Sequence, residues 1–277
     1  MRLTSESNQE TNTMRKLLKF KTLVTVLSLG FILTLSAQAL AKQVEETFNV
    51  SPGGTLDLRT DAGRLIVKTH SRDTVILEAE IEGKQRDDFE LEYKVNGDDV
   101  IITGKLEKRE KWGWNSNLRV TFEITVPENY NLELHTSGGS IDIADLEGNI
   151  DAHTSGGSIE VGNVTGKVDL HTSGGSITTE DINGPIDAHT SGGSIRTTFA
   201  QQLVEDAELN TSGGSITAYL VSDVKIDINA STSGGRVRSE FDIDGRVKKT
   251  SVKGEINGGG PKLKLHTSGG SISIKSL

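Results

Sequence analysis

Five of the six histidines in this chain sit in one heptapeptide, His-Thr-Ser-Gly-Gly-Ser-Ile, which begins at His135, His153, His171, His189 and His266. Two residues before the first four lie Glu133, Asp151, Asp169 and Asp187. Imidazole and carboxylate are ligands for Zn²⁺ and similar borderline cations. If successive copies lay side by side, His135, His153, His171 and His189 could hold a metal with those acids. The same pairing could act as a proton switch, because histidine changes charge near neutral pH and a neighbouring carboxylate moves that change. The bland alternative is a solvated polar ladder, copied along with the repeat whether or not it does anything.

The spacing shows what positions these groups. Near copies start at Asn210 and Ser231, and a worn one, Lys-Thr-Ser-Val-Lys-Gly-Glu-Ile, at Lys249. Successive threonines (136, 154, 172, 190, 211, 232, 250, 267) are 18, 18, 18, 21, 21, 18 and 17 residues apart. A period this short is one turn of a coil, since a self-contained domain needs several times that length. Within a repeat, Ile150, Ala152 and Thr154 alternate with Asp151, His153 and Ser155, the signature of a half-buried strand. Gly156-Gly157 breaks that strand, Ile159 and Val161 open a second, and Asn163 to Gly166 turn the chain back. Each strand then pairs in parallel with its copy about 4.8 Å away. The prediction is an all-β protein, a parallel β-solenoid over residues 131–277, right-handed by the general crossover preference.

Stacking turns each repeat position into a column. His135, His153, His171 and His189 form one, followed by Asn210 and Ser231, with His266 at the far end. Glu133, Asp151, Asp169, Asp187 and Glu208 form another on the same outward face. The threonines point inward, where their hydroxyls can bond along the stack, so a flat outward threonine array of the ice-binding kind is not expected. The corner glycines are expected to take positive φ, which costs glycine no Cβ clash. A phosphate cradle would need a following helix, and none is indicated. The left-handed hexapeptide helix is excluded because the sixth and twelfth positions after Ile141 are Glu147 and His153.

Residues 42–130 form a β-rich N-terminal portion, read as longer irregular rungs or a cap over an otherwise open β-edge. Thr55 to Val67 is a degenerate strand–corner–strand copy, and further strands fall at 74–81, 89–95, 100–105 and 118–126. The repeat pattern stops within a rung at Ser271-Ile272-Ser273-Ile274, with no cap visible there. Residues 1–41 read as a signal segment. Arg15, Lys16, Lys19 and Lys21 precede an apolar run from Thr22 to Ser36, and Ala39-Leu40-Ala41 fits a cleavage site. An uncleaved anchor is the alternative, because Thr22 to Ala41 is long enough to span a bilayer. A membrane partner is expected only through that segment.

Composition narrows the function classes. There is no cysteine, hence no disulfide and no lipid-modified cysteine. Without residues 1–41 the chain carries 25 Lys+Arg against 37 Asp+Glu, a net charge of −12. Nucleic acid is therefore not an expected partner, since phosphate binding needs a basic stripe. Aromatic content of 4% is low for a conventional globular core but suits stacked rungs of small and β-branched residues. Catalysis on a β-helix uses carboxylates that converge on protruding loops, whereas these acids and Ser/His pairs recur identically from rung to rung. No enzyme activity and no cofactor are expected. Trp112 and Trp114, in Lys108-Arg109-Glu110-Lys111-Trp112-Gly113-Trp114-Asn115, share one face of a hairpin tip. They could grip a glycan or protein partner, or fold over the end of the solenoid.

From Ile124 to Ile141 the run Ile-Thr-Val-Pro-Glu-Asn-Tyr-Asn-Leu-Glu-Leu-His-Thr-Ser-Gly-Gly-Ser-Ile resembles the bacterial putative-adhesin family of β-strand-repeat proteins. Val126-Pro127, Leu132-Glu133-Leu134 and the repeated Ser-Gly positions carry the likeness, which covers residues 45–277. The histidine is this chain's own addition. The resemblance implies an extracytoplasmic β-solenoid with no established catalytic residues, and it brings no substrate or partner. The expected function is that of a non-catalytic, exported, adhesin-like surface or envelope protein, found in the periplasm, cell envelope or outside the cell. Its ligand would be a surface, a glycan or a protein. The alternative is a metal- or pH-responsive module on the His/carboxylate column. For the latter, the one-to-one ratio of acid to histidine predicts raised histidine pKa values and greater stability on acidification through the histidine range.

Overall fold

The computed structural model describes residues 41–107 and 117–277, so the segment read as a signal, apart from Ala41, and both tryptophans, Trp112 and Trp114, lie outside the described residues. The described chain is nearly all β, with one short 3₁₀ turn at Arg86–Asp88. No helix among the described residues is long and apolar enough to cross a membrane. The N-terminal strands are β1 (Ala41–Asn49), β2 (Thr55–Thr60), β3 (Arg64–His70), β4 (Thr74–Glu82), β5 (Phe89–Asn96), β6 (Asp99–Leu106) and β7 (Arg119–Pro127). Three-sided rungs follow, β8 (Asn131–Thr136), β9 (Ile141–Ile143) and β10 (Leu146–Glu147), then β11 (Ile150–Thr154), β12 (Ile159–Val161) and β13 (Val164–Thr165). Next come β14 (Val168–Thr172) with β15 (Ile177–Asn183), β16 (Ile186–Thr190) with β17 (Ile195–Phe199), and β18 (Ala207–Thr211) with β19 (Ile216–Leu220). The last are β20 (Ile226–Thr232), β21 (Val237–Ser239), β22 (Asp244–Lys248), β23 (Ser251–Ile256), β24 (Lys262–Thr267) and β25 (Ile272–Ser276).

Each rung contributes one strand to each of two sheets. Sheet 1 runs β1-β4-β7-β3-β9-β12-β15-β17-β19-β25-β21, with β10 and β13 as a short side branch that joins β15. Sheet 2 runs β5-β6-β2-β8-β11-β14-β16-β18-β24-β20-β23-β22. Pairing in the central rungs is parallel and in repeat register, so that Ile150 lies beside Leu132 and Val168, and Ala152 beside Leu134 and Leu170. Facing these from sheet 1 is the column Leu65, Ile141, Ile159, Ile177, Ile195, Ile216 and Ile272, each at most 1% exposed. Complete burial of one such aliphatic side chain is worth about 1.5–3 kcal/mol, and the column repeats that gain at every level. Low aromatic content is thus no obstacle to a continuous core.

Two side-chain ladders tie the corners together. The threonine hydroxyl of each rung donates to the carbonyl of the second corner glycine of its neighbour: Thr154 to Gly139, Thr172 to Gly157, Thr190 to Gly175 and Thr211 to Gly193, all at 2.7 Å. Beside it, serine hydroxyls accept from backbone N–H groups one rung on, Ser176 N to Ser158 Oγ at 3.2 Å and Ser194 N to Ser176 Oγ at 3.1 Å. The threonines are inward and buried, as the alternation requires.

The corner glycines do not take positive φ, which corrects the expectation for the repeated Gly-Gly pairs. Close approach is the constraint instead. A Cβ on Gly157 or Gly175 would lie 2.1 Å from the carbonyl oxygen of the glycine beneath, whereas one on Gly138 would meet nothing within 4 Å. Positive φ belongs to the opposite corner, at Gly148, Gly166 and Gly184.

Rung order departs from sequence order at both ends. His266 was expected at the far end of its column, but β24 lies between β18 and β20, placing His266 beside Asn210 on one side and Ser231 on the other. The worn copy at Lys249 explains this. Its Val252-Lys253 replaces Gly-Gly and cannot make the close corner, so Thr250 falls in the turn between antiparallel strands β22 and β23 instead of in the stack. The intact copy can stack on both faces: Thr267 donates to Gly214 O at 2.7 Å, and Thr232 donates to Gly270 O at 2.6 Å. The C-terminal end therefore does carry a cover, the β22–β23 hairpin beyond β20. At the other end β2–β3 is likewise inserted between β6–β7 and β8–β9, with Thr60 in register with Thr136.

Two expectations follow for stability. Gly139→Ala, whose Cβ would sit 1.8 Å from Gly63 O, should cost about 2 kcal/mol or more, while Gly138→Ala should stay within about 0.5 kcal/mol of the parent in urea denaturation. Thr179 and Thr197 bury hydroxyls with no hydrogen-bond partner among the described residues. Replacing each by the similarly shaped valine should stabilise by about 1 kcal/mol, because a buried unsatisfied hydroxyl is removed.

Candidate functional site

The outward face of sheet 2 carries the repeated histidines and acids. In-register pairing places His135, His153, His171 and His189 side by side, with Arg59 next to His135 and Asn210 next to His189. Ring centroids are 5.1, 5.4 and 5.2 Å apart, and the interplanar angle falls from 29° through 18° to 6° along the stack. The spacing is close to the strand separation of about 4.8 Å, so the backbone ladder sets the ring contacts. Two residues earlier runs Asp57, Glu133, Asp151, Asp169, Asp187 and Glu208, then Lys264.

The column is tied off by cations at both ends. Arg59 Nε donates to Asp57 Oδ1 at 2.8 Å and its Nη2 reaches Glu133 Oε2 at 3.4 Å. At the other end Lys264 Nζ donates to Glu208 Oε1 at 2.6 Å, and Asn210 Nδ2 donates to the same oxygen at 2.5 Å. Between them His153 Nε2 lies 2.8 Å from Asp151 Oδ1. An open groove beside the stack is lined by Arg59, Lys105, His135, His153, His171 and Ser155, among others. Sequence reasoning missed Arg59 and Lys264. Arg59 was legible, since it precedes Thr60 as His135 precedes Thr136. Lys264 occupies the acid position of a copy whose place in the stack the sequence did not reveal.

The four histidines and their acids are thus brought onto one face, but as parallel columns. The rings stack face to face, and among the described residues no three of the His, Asp and Glu side chains gather around one point where a metal ion could sit. The electrostatics also run against expectation. His135 is held below the ordinary histidine pKa, first by burial, then by the Arg59 and His153 charges. His171 is lowered as well, by burial and then by His153 and His189 on either side. The predicted upward shift fails for these two because each half-buried ring meets like rings or Arg59 along the stack, and the acids only partly offset them. In the acid column, Asp187 is raised by burial and the Asp169 and Glu208 carboxylates, whereas the Lys264 ammonium pulls Glu208 down.

A histidine whose folded pKa lies below its unfolded value contributes stability that is present above about pH 6.5 and is lost as pH falls through the folded value. The melting temperature should therefore be lower at pH 5.5 than at pH 7.5. Asn at positions 135, 153, 171 and 189 should abolish that difference in thermal scans. Glu208 and Asp187 act with opposite signs in the carboxylate range, below this window.

No curated protein matches the chain in sequence. Among solved structures the chain is similar to a putative cell adhesion protein from Clostridium sporogenes ATCC 15579, with 17% identity and a TM-score of 0.43 over 85% of this chain and 100% of that one. It is also similar to a putative adhesin from Bacteroides fragilis NCTC 9343, at 13% identity and a TM-score of 0.34 over 85% and 97% of the two chains. A putative lipid binding protein from Parabacteroides distasonis ATCC 8503 gives 14% identity and a TM-score of 0.30 over 86% and 97%. The Toastrack DUF4097 family model matches residues 55–183 and again 148–275, which together run from β2 to β25. With two matches to that one model spanning residues 55–275, the chain belongs to the Toastrack DUF4097 family.

Proposed function

We propose that this is a non-catalytic, exported, adhesin-like surface or envelope protein that works through the outward face of sheet 2. The observation that carries this reading is the register of that face: Asp151 beside Asp169 and His153 beside His171, and so on along the stack, present the same pair of groups at each level. An array of equivalent shallow sites suits an extended or repetitive ligand, such as a glycan or a partner surface, because many weak contacts add through avidity. The names of the adhesin-like structures similar to this chain agree with that role. Export rests on the apolar segment that precedes Ala41.

Cell fractionation with binding to immobilised glycans and cell surfaces tests the proposal. Changing Asp151, Asp169, His153 and His171 together to Asn should lower retention at least tenfold. Equal retention of variant and parent, or a protein confined to the cytoplasm, would overturn it. The ring stack supports a second reading, a metal- or pH-responsive module. Titration calorimetry with Zn²⁺ separates the two. Heat of binding that disappears when His135, His153, His171, His189 and His266 become Asn would favour the metal module, and indifference of both proteins to Zn²⁺ would remove its metal arm.

A further inference from the structure

Sheet 2 ends in side chains that belong to core columns but have no further strand of that sheet beyond them, although the Tyr93 ring meets Phe48 of β1 edge-on at 5.6 Å and its hydroxyl donates to Glu46. On β5, Tyr93 lies opposite Ile102 and Val95 opposite Val100, which are themselves next to Leu58 and Leu56. Both therefore stand in inward columns, yet they are 40% and 44% exposed, and no described strand pairs with the outer edge of β5. At the opposite end Val247 of β22 lies opposite Val252, which lies opposite the buried Ala230. Val247 thus closes the same column that Tyr93 opens, and it is 63% exposed. Gly245 similarly closes the column that Val95 opens.

Strand directions at the two ends are also complementary. β22 is antiparallel to β23, itself antiparallel to β20, so it runs with the rungs. β5 is antiparallel to β6 and so runs against them. We propose that copies of this chain associate head to tail, with β22 of one copy pairing antiparallel with β5 of the next and continuing sheet 2 across the junction. Keeping the columns in line sets Val247 against Tyr93, Gly245 against Val95 and Lys248 against Glu92. The same register sets Arg246 against Lys94, so the charged pairs nearly cancel and the apolar column carries the contact.

A second copy is the occupant that fits, because each end supplies the continuation the other lacks. Sheet 1 agrees in sign: its outward column begins with Glu45, Glu78 and Glu123 and ends with Arg238. Along its main path sheet 1 is one strand shorter than sheet 2, so β1 and β21 stay apart when sheet 2 closes. Glu45 and Arg238 then attract across that gap, which is of the order of one Debye length.

The chain has no cysteine, which permits a clean cross-linking test on the full chain in mild detergent. Glu92 and Lys248 are both exposed, so replacing them leaves the core intact. Directly opposite residues of an antiparallel pair have Cβ atoms about 4.5–5.5 Å apart, near disulfide reach. On mild oxidation E92C/K248C should give a ladder of dimers, trimers and longer species. On a non-reducing denaturing gel each single variant should run as a monomer, and an equal mixture of the two should stop at dimers. Adding V247D should reduce the ladder at least tenfold with an unchanged far-UV spectrum. The proposal is overturned by an absent ladder, by dimers from either single variant alone, since these join like ends, or by a ladder that survives V247D.

Discussion

The hydrogen bond from a buried threonine hydroxyl to the carbonyl of a corner glycine in the adjacent rung recurs from Thr136 to Thr232, at 2.6–2.9 Å. It requires that the two corners touch, and the touch leaves no room for a Cβ on the second glycine. Thr-x-Gly-Gly is thus a single device, in which the glycine permits the approach and the hydroxyl satisfies a carbonyl that the turn would otherwise leave without a ladder partner. With the corner fixed, strands on both sides must fall into register, and the aliphatic columns follow. Outward columns inherit the same order, so the stacking of imidazoles is a consequence of the corner and not its cause.

That dependence explains the electrostatic character of the exposed face. A ligand site in most folds is assembled by convergence from several loops. Here translation along the coil replaces convergence, and between the ends of the columns each group has its own kind as nearest neighbour. Burial first, and like neighbours after it, lower His171 and raise Asp187. Arg59 ends the histidine column on one side and Lys264 ends the acid column on the other, each bonding a carboxylate of the adjacent rung.

Much of this architecture was legible in the residues. The threonine spacing gives the rung, the alternation around Asp151 and His153 gives the outward face, and Thr55 to Val67 gives an N-terminal copy that joins the stack through β2 and β3. The order of the last rungs was not legible, because a periodic sequence does not say which copy a given corner will meet. Loss of Gly-Gly at Val252-Lys253 was the one clue that the Lys249 copy leaves the stack. The direction of the histidine shifts was hidden for a different reason. Counting acids against histidines treats each pair as isolated, whereas burial and the flanking rings decide the balance. Why Gly138 is glycine at all has no steric account, since a Cβ there meets open space.

The insertion of β24–β25 between older neighbours has a mechanical side. The chain's last strands are flanked on both edges in both sheets, β24 by β18 and β20, and β25 by β19 and β21. Tension applied at the C-terminal end cannot unzip an outermost strand one bond at a time. It must draw a doubly clamped strand lengthwise out of its sheet, loading several ladder bonds in shear together. Load passed to β25 from that side would meet a strand enclosed like those of the central rungs and not an edge of the coil.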